Sequence, residues 1–539
     1  MDNFKTPKNQ YKKPNIEGII TSPSIERKPK QSNTEPDIFL PNTSITDQRK
    51  SNQDTLKTTS LGFSLNPTPD NTRLNSDNIA QKPKPKRLSF KKVFRFFRPT
   101  KKKFVILLVI AGLLVGALTA KGYLNLRNIF KGGADGAAAL SKDIDPSKLN
   151  GEGDGRVNIL LLGRGGEGET APDLTDTIVV ASIDPVNNKV ALLSIPRDLW
   201  VRSQTGESSK INALFANAKY AATDAGKTEE QAEDEGFRAL KQTVTETMGI
   251  PIHYHTIIDF SGFKEAIDTL GGVDINVDKN GEVYEILRDH STGSDYILDV
   301  EEGLQHFDGR KALFYSRSRY TSARGDFDRA ERQRKVMIAL KDKILTLGTF
   351  ANPAKVSGLM SSFGNHVQTN MSIKEVMRLY EIASMIDSGS IVSVGLADPP
   401  NEFVTTDMID GQSVVVPRSG INDFDEIKSY VRNTLKDGFI QKEDPEVIVL
   451  NGTNIAGLAT DQAEILKSYG YRVTSAVGAP TTDYTDTVLI DLRNGEKKYT
   501  KHYLEKRFGV TATTSIPEGI MTGTADFVII LGSNENNSQ

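Results

Sequence analysis

The chain has 539 residues, a formal net charge of -2 and no cysteine. Its length allows two or three domains with cores of their own. Without cysteine it forms no disulfides, zinc–thiolate sites or iron–sulfur clusters, and it carries no cysteine nucleophile. Hydrophobic residues make up 37% of the chain and charged residues 25%, which is typical of a largely globular protein with additional polar segments.

A polar tail opens the chain and ends in a cluster of positive charge. Asn, Ser, Thr, Pro, Lys and Gln dominate residues 1–81, and sustained apolar runs are few. Such a composition buries too little apolar surface to offset the entropy that folding removes. Residues 82–103 then carry 11 Lys and Arg. We therefore predict that residues 1–103 form a disordered, basic cytoplasmic tail.

An apolar segment follows directly. Residues 104–120 are 17 consecutive uncharged residues, close to the shortest length that spans a bilayer as a helix. A cleaved signal peptide has a much shorter leading region, and a buried core helix rarely has so basic a flank. We predict one transmembrane helix over 104–124. The excess of Lys and Arg before it places the N-terminus in the cytoplasm and the C-terminal domains outside a cell membrane that is crossed once.

After a predicted extracytoplasmic spacer over 125–155, strand and helix patterns alternate. The continuous apolar run at 157–163 is typical of a strand buried on both faces. Further predicted strands are 177–183, 190–196, 253–259 and 273–277, and predicted helices are 229–248, 309–315 and 326–347. This alternation predicts a three-layer α/β/α domain with a central β-sheet over 156–400.

The remaining chain predicts a linker and a second domain. Residues 401–444 show no clear pattern and are assigned as a linker. Residues 445–534 then follow the order strand, helix, strand, strand, helix, strand. That order predicts a small α/β (βαββαβ) domain, and its sequence offers no catalytic constellation.

An arginine-rich stretch over 314–335 is the most unusual feature of the first domain. Arg317 and Arg319 are two residues apart, so both point to one side if the chain is extended there. Asp326, Arg329 and Gln333 share one face of the helix that follows. Guanidinium groups that converge near a helix N-terminus suit a polyanion such as pyrophosphate. A solvated helix face held by salt bridges explains the same charges and stays open as an alternative.

Two further segments add polar groups near predicted strand ends. Arg197 and Asp198 follow the strand 190–196 at its carboxyl end, where open α/β sheets bind ligands. The glycine-rich loop 163–177 contains Asp173 and Asp176, whose carboxylates are hard oxygen donors suited to Mg²⁺ beside a phosphate. Lys210 adds a cation, and Asn212 adds an amide.

Taken in chain order, these segments resemble the LytR-CpsA-Psr family of bacterial cell-envelope proteins. The matching stretches are NILLLG, DLTDTIVV, LLSIPRDLWV, KINALF, GGVDINV, LQHFDGRKALFYSRSR and GDFDRAERQRKV. They cover roughly residues 155–350, and their occurrence together in this order is highly specific. The last 90 or so residues also resemble the separate C-terminal LytR-type domain often appended to such proteins.

The resemblance implies a phosphotransferase that moves a glycopolymer from a polyprenyl-pyrophosphate carrier in the membrane to peptidoglycan. It implies that arginines and Mg²⁺ hold the pyrophosphate and that the lipid tail occupies an apolar channel between sheet and helices. The implied catalytic set is Arg197, Asp198, Arg317, Arg319, Asp326 and Arg329. The implied substrate-binding set is Arg197, Lys210, Asn212, Arg317, Arg319, Arg329, Arg332 and Gln333. The implied metal ligand is Asp176.

Two positions depart from the family pattern. The family commonly has an aspartate where this chain has Gly165, and an arginine where it has Leu174. We hypothesise that Asp173 supplies the missing carboxylate to Mg²⁺. Under this hypothesis Asp173→Ala weakens Mg²⁺ binding, which a titration of the purified protein measures, and an unchanged affinity would refute it.

Two other functions stay open at this stage. The same site can serve a hydrolase that cleaves polyprenyl pyrophosphates with water. It can also belong to a non-enzymatic envelope regulator that binds lipid or glycan, with the changes at Gly165 and Leu174 marking a decayed site. A nucleic-acid partner is not expected, because the basic helix lies on the outer side of the membrane.

Overall fold

The computed structural model describes residues 137–141, 144–290, 292–319, 322–346, 364 and 366–537. The predicted tail and transmembrane helix, and the first part of the spacer, lie outside the described residues. None of the described helices is both long and apolar enough to span a bilayer.

The described strands are short and belong to several sheets. They are β1 Val157–Arg164, β2 Thr175–Asp184, β3 Lys189–Ser194, β4 Trp200–Arg202, β5 Ser208–Lys210, β6 Tyr254–Asp259, β7 Val273–Val277, β8 Val283–Asp289, β9 Ser294–Val300, β10 Gly303–Phe307, β11 Val367–Thr369, β12 Ile391–Gly395, β13 Ala397–Asp398, β14 Asn401–Glu402, β15 Val404–Ile409, β16 Gln412–Pro417, β17 Glu446–Asn451, β18 Arg472–Gly478, β19 Val488–Asp491 and β20 Phe527–Leu531.

The helices alternate with these strands along the chain. They are α1 Leu214–Asp224, α2 Glu229–Met248, α3 Phe260–Thr269, α4 Gly309–Arg317, α5 Asp326–Thr346, α6 Ile373–Ala383, α7 Asp425–Thr434, α8 Gly438–Glu443, α9 Leu458–Tyr469 and α10 Lys498–Phe508.

A six-stranded mixed sheet forms the centre of the first domain, in the order β11-β6-β1-β2-β3-β12. Its strand β1 is buried on both faces, as the apolar run predicts. Leu160 and Leu162 pack against one helical layer that includes α1 and α2. Ile159 packs on the opposite face against residues of α5 and α6. The predicted mixed α/β fold with a central sheet is therefore confirmed, and helices cover both faces.

One edge of this sheet collects the ends of several strands. Strand β1 is parallel to β6, and β3 is parallel to β12. Strand β2 runs antiparallel to both β1 and β3. The carboxyl ends of β1, β3, β6 and β12 and the start of β2 therefore lie at the same edge. The loops that leave this edge are placed where α/β proteins bind ligands.

Most of the segment predicted as a linker, 401–444, packs into the core of the first domain, whereas Phe439 and Ile440 near its end lie in the core of the C-terminal domain. Val404 and Val415 of the β15–β16 hairpin are buried in the same core as Leu160. Ile427 and Val431 of α7 join that core from one helix face. Alternating apolar residues in the hairpin and helical spacing in α7 explain this packing, and both signals are short enough to be overlooked in the sequence.

The C-terminal domain has the predicted order of strands and helices. Its sheet has the order β18-β17-β20-β19, with β17 central and parallel to β18 and β20. Helices α9 and α10 supply Leu466 and Leu504 to the core beneath it.

The described part of the predicted spacer is packed rather than extended. The backbone N–H of Ala137 donates to the hydroxyl of Tyr254 in the first domain at 2.8 Å. Leu149 is buried in the core of the C-terminal domain. Glu152 pairs with Arg507 of α10 at 2.7 Å. Residues 137–141 and 144–155 thus contact both domains, and we call them the strap. Apolar side chains of the strap are buried in the cores of both domains.

Asp437 holds the end of the strap in place. Its buried carboxylate accepts hydrogen bonds from the backbone N–H groups of Gly153 and Gly155 at 3.0 and 2.8 Å, and from the hydroxyl of Tyr503 at 3.1 Å. Burial raises the pKa of Asp437 to about 6 against the opposing effect of these hydrogen bonds. A single carboxyl group therefore joins the strap, the start of α8 and the C-terminal domain.

The raised pKa predicts a pH-dependent contribution to stability. The folded-state pKa of Asp437 exceeds the unfolded value of about 3.9, so protonation of this carboxyl group stabilises the fold at low pH. This contribution to the free energy of unfolding is lost as the pH rises through about 6. From pH 5 to pH 7.5 the wild type should lose about 1–2 kcal/mol more than Asp437→Asn. Thermal unfolding at both pH values measures the difference.

The exposed Asp483 provides the matched control, since Asp483→Asn should unfold like the wild type at both pH values. A gap between wild type and Asp437→Asn that does not change with pH would contradict the assignment.

Candidate active site at the edge of the central sheet

Arg197 lies at the centre of a charged cluster on the sheet edge described above. Its Nη1 donates to Asp176 Oδ1 at 2.8 Å, and its Nε lies 3.5 Å from Asp198 Oδ2 and 3.4 Å from Asp326 Oδ2. Burial acts to lower the pKa of Arg197, but the three carboxylates outweigh it and raise the pKa. The end of β3, the start of β2 and the start of α5 therefore meet on one guanidinium.

Two further arginines reach the cluster, Arg329 from helix α5 and Arg319 from the segment between α4 and α5. Arg329 Nη2 donates to Asp326 Oδ2 at 2.7 Å and lies 3.4 Å from the backbone carbonyl oxygen of Asp176. Arg319 Nη1 lies 3.8 Å from Asp326 Oδ1. Burial lowers the pKa of Arg329 to about 10, which leaves it protonated at neutral pH. The face of α5 that carries Asp326 and Arg329 thus points to the sheet edge.

Lys210 and Asn212 join from the other side of Arg197. Lys210 Nζ lies 3.0 Å from Asp198 Oδ1. The amide of Asn212 donates to Asp176 Oδ1 at 3.3 Å, and its backbone N–H donates to the carbonyl of Arg197 at 3.2 Å. The structure thus joins eight predicted residues in one network: Asp176, Arg197, Asp198, Lys210, Asn212, Arg319, Asp326 and Arg329.

Arg317 is placed differently from the expectation. It is the last residue of α4, so it does not share an extended strand with Arg319. Its guanidinium carbon lies 4.6 Å from the ring centroid of Phe260, the first residue of α3. The backbone N–H of Phe260 donates to the carbonyl of Gly165 at 3.4 Å. Arg317 therefore borders the sheet edge without an ion pair to the cluster.

Asp173 is not brought to Asp176. Its carboxylate accepts from Arg164 at 3.0 Å, from Tyr220 at 3.1 Å and from Lys219 at 3.3 Å, and it is buried. These partners fix the loop 163–177 to α1 and supply the counter-charges that a buried carboxylate requires. Because three cationic or hydroxyl partners already bond to this carboxylate, the proposed metal role of Asp173 stays a prediction.

The departure at Gly165 also has a local cause. A Cβ atom added to Gly165 would lie 2.9 Å from the Cβ of Glu169 and 3.4 Å from the carbonyl oxygen of Ala171. The loop conformation thus leaves little room for a carboxylate at this position. In the described part of the chain no three or more His, Asp or Glu side chains form a metal-binding group.

Arg332 and Gln333 both bond to the end of α4, and Gln333 also lines the cavity between the sheet and α5. Arg332 is 2% exposed, and its guanidinium donates to the carbonyls of Tyr315 and Ser318 at the end of α4 and to the hydroxyl of Ser322. Gln333 donates to the carbonyl of Ser316 at 3.2 Å. Since the last turn of a helix leaves carbonyls without partners, these side chains complete it. The substrate-binding assignment of Arg332 is not supported by this placement.

The cluster contains buried polar atoms that have no hydrogen-bond partner among the described residues. They include Arg197 Nε, Arg329 Nε, Asp326 Oδ1 and, in the same cavity wall, Ser194 Oγ. Buried polar atoms are normally satisfied by protein, water or a bound group, so these atoms can still form hydrogen bonds to a ligand. The cavity between the sheet and α5 has a volume of only about 30 Å³, which is too small to hold a lipid tail. The expected apolar channel for the lipid therefore stays a prediction.

Sequence reasoning missed a second group of charges beside the cluster. Asp398, just after β12, accepts from Arg334 at 2.7 Å and from Arg324 at 3.2 Å. Asp398 and Arg334 line the same narrow cavity. No residue pattern around Asp398 indicated a role in the sequence.

Comparison with known proteins gives the family. The model of the LytR-CpsA-Psr family matches residues 126–426. The chain belongs to the LytR-CpsA-Psr family. A second model, described as LytR cell envelope-related transcriptional attenuator, matches residues 444–534.

Among relatives of this LytR-CpsA-Psr protein is the polyisoprenyl-teichoic acid–peptidoglycan teichoic acid transferase TagV of Bacillus subtilis. It is 32% identical over 239 residues, 42% of this chain and 54% of TagV. The cell wall biosynthesis protein LcpA of Corynebacterium glutamicum is 27% identical over 420 residues, 72% of this chain and 77% of LcpA. The chain thus spans about half of TagV and three quarters of LcpA.

Solved structures of the family are also similar. The structure of TagT bound to LI-WTA has a TM-score of 0.40 and 22% identity, covering 55% of this chain and 94% of that chain. The crystal structure of B. subtilis TagV has a TM-score of 0.39 and 25% identity, covering 52% of this chain and 97% of that chain.

The placements of Arg332 and Arg319 predict different effects on stability. Arg332→Ala should lower the free energy of unfolding by about 2–4 kcal/mol, because it leaves buried carbonyls at the end of α4 without donors. Arg319→Ala should lower it by less than about 1 kcal/mol, since its side chain is 36% exposed. Thermal or denaturant unfolding compares the two, and equal losses would contradict the separation of roles.

Proposed function

We propose that the protein transfers a glycopolymer phosphate from a polyprenyl-pyrophosphate donor to peptidoglycan. The observation that carries this proposal is the cluster around Arg197, where cations converge and several buried polar atoms lack hydrogen-bond partners. The named activities of TagV and LcpA, in the same family, support the substrate class.

The charge balance of the cluster favours a multivalent anion. Four cations, those of Arg197, Lys210, Arg319 and Arg329, contact three carboxylates, those of Asp176, Asp198 and Asp326. Arg317 adds a fifth cation at the border. Among these residues the cations outnumber the carboxylates, which suits a diphosphate, and guanidinium groups bind phosphate oxygens in pairs.

Each charged side chain then has a distinct task. Arg197 binds the phosphate that bears the glycan, because its guanidinium is central and contacts both Asp176 and Asp326. Arg329 and Arg319 bind the phosphate that leaves with the polyprenyl group. Asp326 holds Arg329 and Arg197 in place through its shared carboxylate. Phosphoryl transfer needs such positioning and charge neutralisation more than covalent catalysis.

Mg²⁺ is a proposed cofactor that fits Asp176 in part. Both hydrogen bonds of its carboxylate go to Oδ1, so Oδ2 is not bonded to any residue that the structure describes. Mg²⁺ commonly binds one or two carboxylates together with substrate phosphates and water. Bound in this way, the ion would neutralise charge that develops on the diphosphate. The described residues alone do not form a closed metal site.

The location follows from the same reasoning. The curated relatives are cell-envelope proteins. Together with the predicted orientation of the transmembrane helix, this supports a site on the outer side of the cell membrane, where a polyprenyl-linked donor and peptidoglycan are both within reach.

One observation favours a second candidate. Gly165 stands where the family commonly has an aspartate, and its neighbours leave little room for a side chain. The loss of this carboxylate suits a non-catalytic protein that binds the same lipid-linked glycan. A transfer assay with the full-length chain separates the two, since the second candidate binds donor without forming product. Release of polyprenyl phosphate without any acceptor would instead favour hydrolysis.

The central prediction concerns Arg317, the last residue of α4, and Arg319, two residues further along the chain. Arg317→Ala combined with Arg319→Ala should reduce transfer at least about 100-fold, because each charge-assisted contact to phosphate contributes about 1.5–3 kcal/mol. Transfer of labelled glycan from donor to peptidoglycan measures the effect.

Arg238 provides the control for lost positive charge. It is 68% exposed on α2 and pairs with Glu235, so Arg238→Ala should retain full activity. Normal transfer by the double variant would refute the assignment of Arg317 and Arg319.

A further inference from the structure

A second, wider pocket adjoins the charged cluster. It has a volume of about 400 Å³ and is open to solvent. Asp176 and Arg197 line both this pocket and the narrow cavity beside α5, so the pair forms the boundary between them. We call the wider space the outer pocket. It is walled by the β4–β5 hairpin and by Gln412 at the tip of the β15–β16 hairpin.

The groups that line the outer pocket match the surface of a sugar. Ser208 and Ser209 offer hydroxyl groups, and Gln412 offers an amide. Trp200 and Leu174 add apolar surface, which suits the C–H face of a pyranose ring. Few polar groups in fixed positions around an apolar wall are typical of a small-molecule binding site.

The walls of the outer pocket are anchored to the catalytic edge. Trp200 is buried and packs against Val414 and Val416 of the β15–β16 hairpin. The backbone N–H of Val415 donates to the carbonyl of Asp198 at 2.8 Å. The hairpin that carries Gln412 is thus fixed directly to the residue that follows Arg197.

The two spaces share Asp176 and Arg197, whereas Arg329 lines only the cavity beside α5 and Asp198 lines only the outer pocket. In phosphoryl transfer the attacking and leaving oxygens are roughly in line across the phosphorus. If the leaving phosphate is bound by Arg329 and Arg319 on the α5 side, the attacking hydroxyl approaches Arg197 from the outer pocket. Asp198 lies on that side, 3.0 Å from Lys210.

We propose that the outer pocket binds the sugar of the acceptor glycan that carries the attacking hydroxyl. This rests on the proposed transferase function and adds its acceptor subsite. The hydroxyl oxygen forms a bond to the phosphorus that bears the donor glycan, and the bond from that phosphorus to the bridging oxygen breaks. Polyprenyl phosphate leaves with the bonding electron pair, and the hydroxyl proton passes to the carboxylate of Asp198.

Gln412 is the residue through which the proposal is tested, because it is exposed and lines the pocket from a hairpin tip. Gln412→Trp fills the outer pocket, and Gln412→Ala removes one polar contact. Ser413→Trp is the matched control, since Ser413 is the exposed neighbour of Gln412 and does not line the pocket. All variants are made in the full-length chain and purified in detergent.

The assay uses a short purified peptidoglycan glycan fragment as acceptor and a short-chain polyprenyl-pyrophosphate disaccharide as donor. Gln412→Trp should raise the KM for acceptor about tenfold or more, a loss of about 1.4 kcal/mol, while the Kd for donor stays as in the wild type. Gln412→Ala should shift the KM for acceptor in the same direction by a smaller factor, and Ser413→Trp should not shift it.

Two results would overturn the proposal. An unchanged KM for acceptor in Gln412→Trp would show that the outer pocket does not bind the acceptor sugar. A raised donor Kd with an unchanged acceptor KM assigns the pocket to the donor glycan instead.

Direct binding keeps the two proposals separable. Calorimetric titration of the acceptor fragment into wild type and Gln412→Trp, without donor, should show binding to the wild type that the variant has lost. If the wild type binds the fragment in this way but forms no product with donor, the transferase function fails while the subsite stands. If it forms product and the variant binds the fragment equally well, the subsite fails alone.

Discussion

The contact of Arg197 with three carboxylates is the constraint on which the candidate site depends. Removing a lone guanidinium from water costs several kcal/mol, and the cost is offset only by close partners. Asp176, Asp198 and Asp326 are those partners, and they come from β2, the β3–β4 loop and α5. Packing of α5 onto the sheet is therefore tied to the presence of the cation. The proposed diphosphate would then meet a guanidinium whose position these carboxylates already fix.

Arginines of one helix show why residue type alone does not reveal a role. Arg329 and Arg332 are three residues apart in α5, and both are buried. One meets Asp326 at the sheet edge, whereas the other completes the carbonyls at the end of α4. The difference arises from which neighbouring element each side chain meets, and that is a property of the tertiary fold.

Much of the architecture followed from the sequence because its signals are local. The apolar run of β1, the helical spacing of α2 and the order of elements in the C-terminal domain were each readable in a short window. The helical end of α4 at Arg317 and the buried ion pairs of Asp173 depend on long-range partners, so no local pattern in the sequence revealed them. The packing of 401–444 was missed because its apolar signals are short.

The strap changes the distance over which the folded domains can range. If residues 104–124 anchor the chain, a free spacer over 125–155 would allow a reach of about 100 Å or more at full extension. Since the strap is fastened to both domains, at most residues 125–136 separate the anchor from the domains, and the limit at full extension falls to about 40 Å. A tether so short raises the local concentration of the domains at the bilayer surface and restricts the depth of wall they can sample.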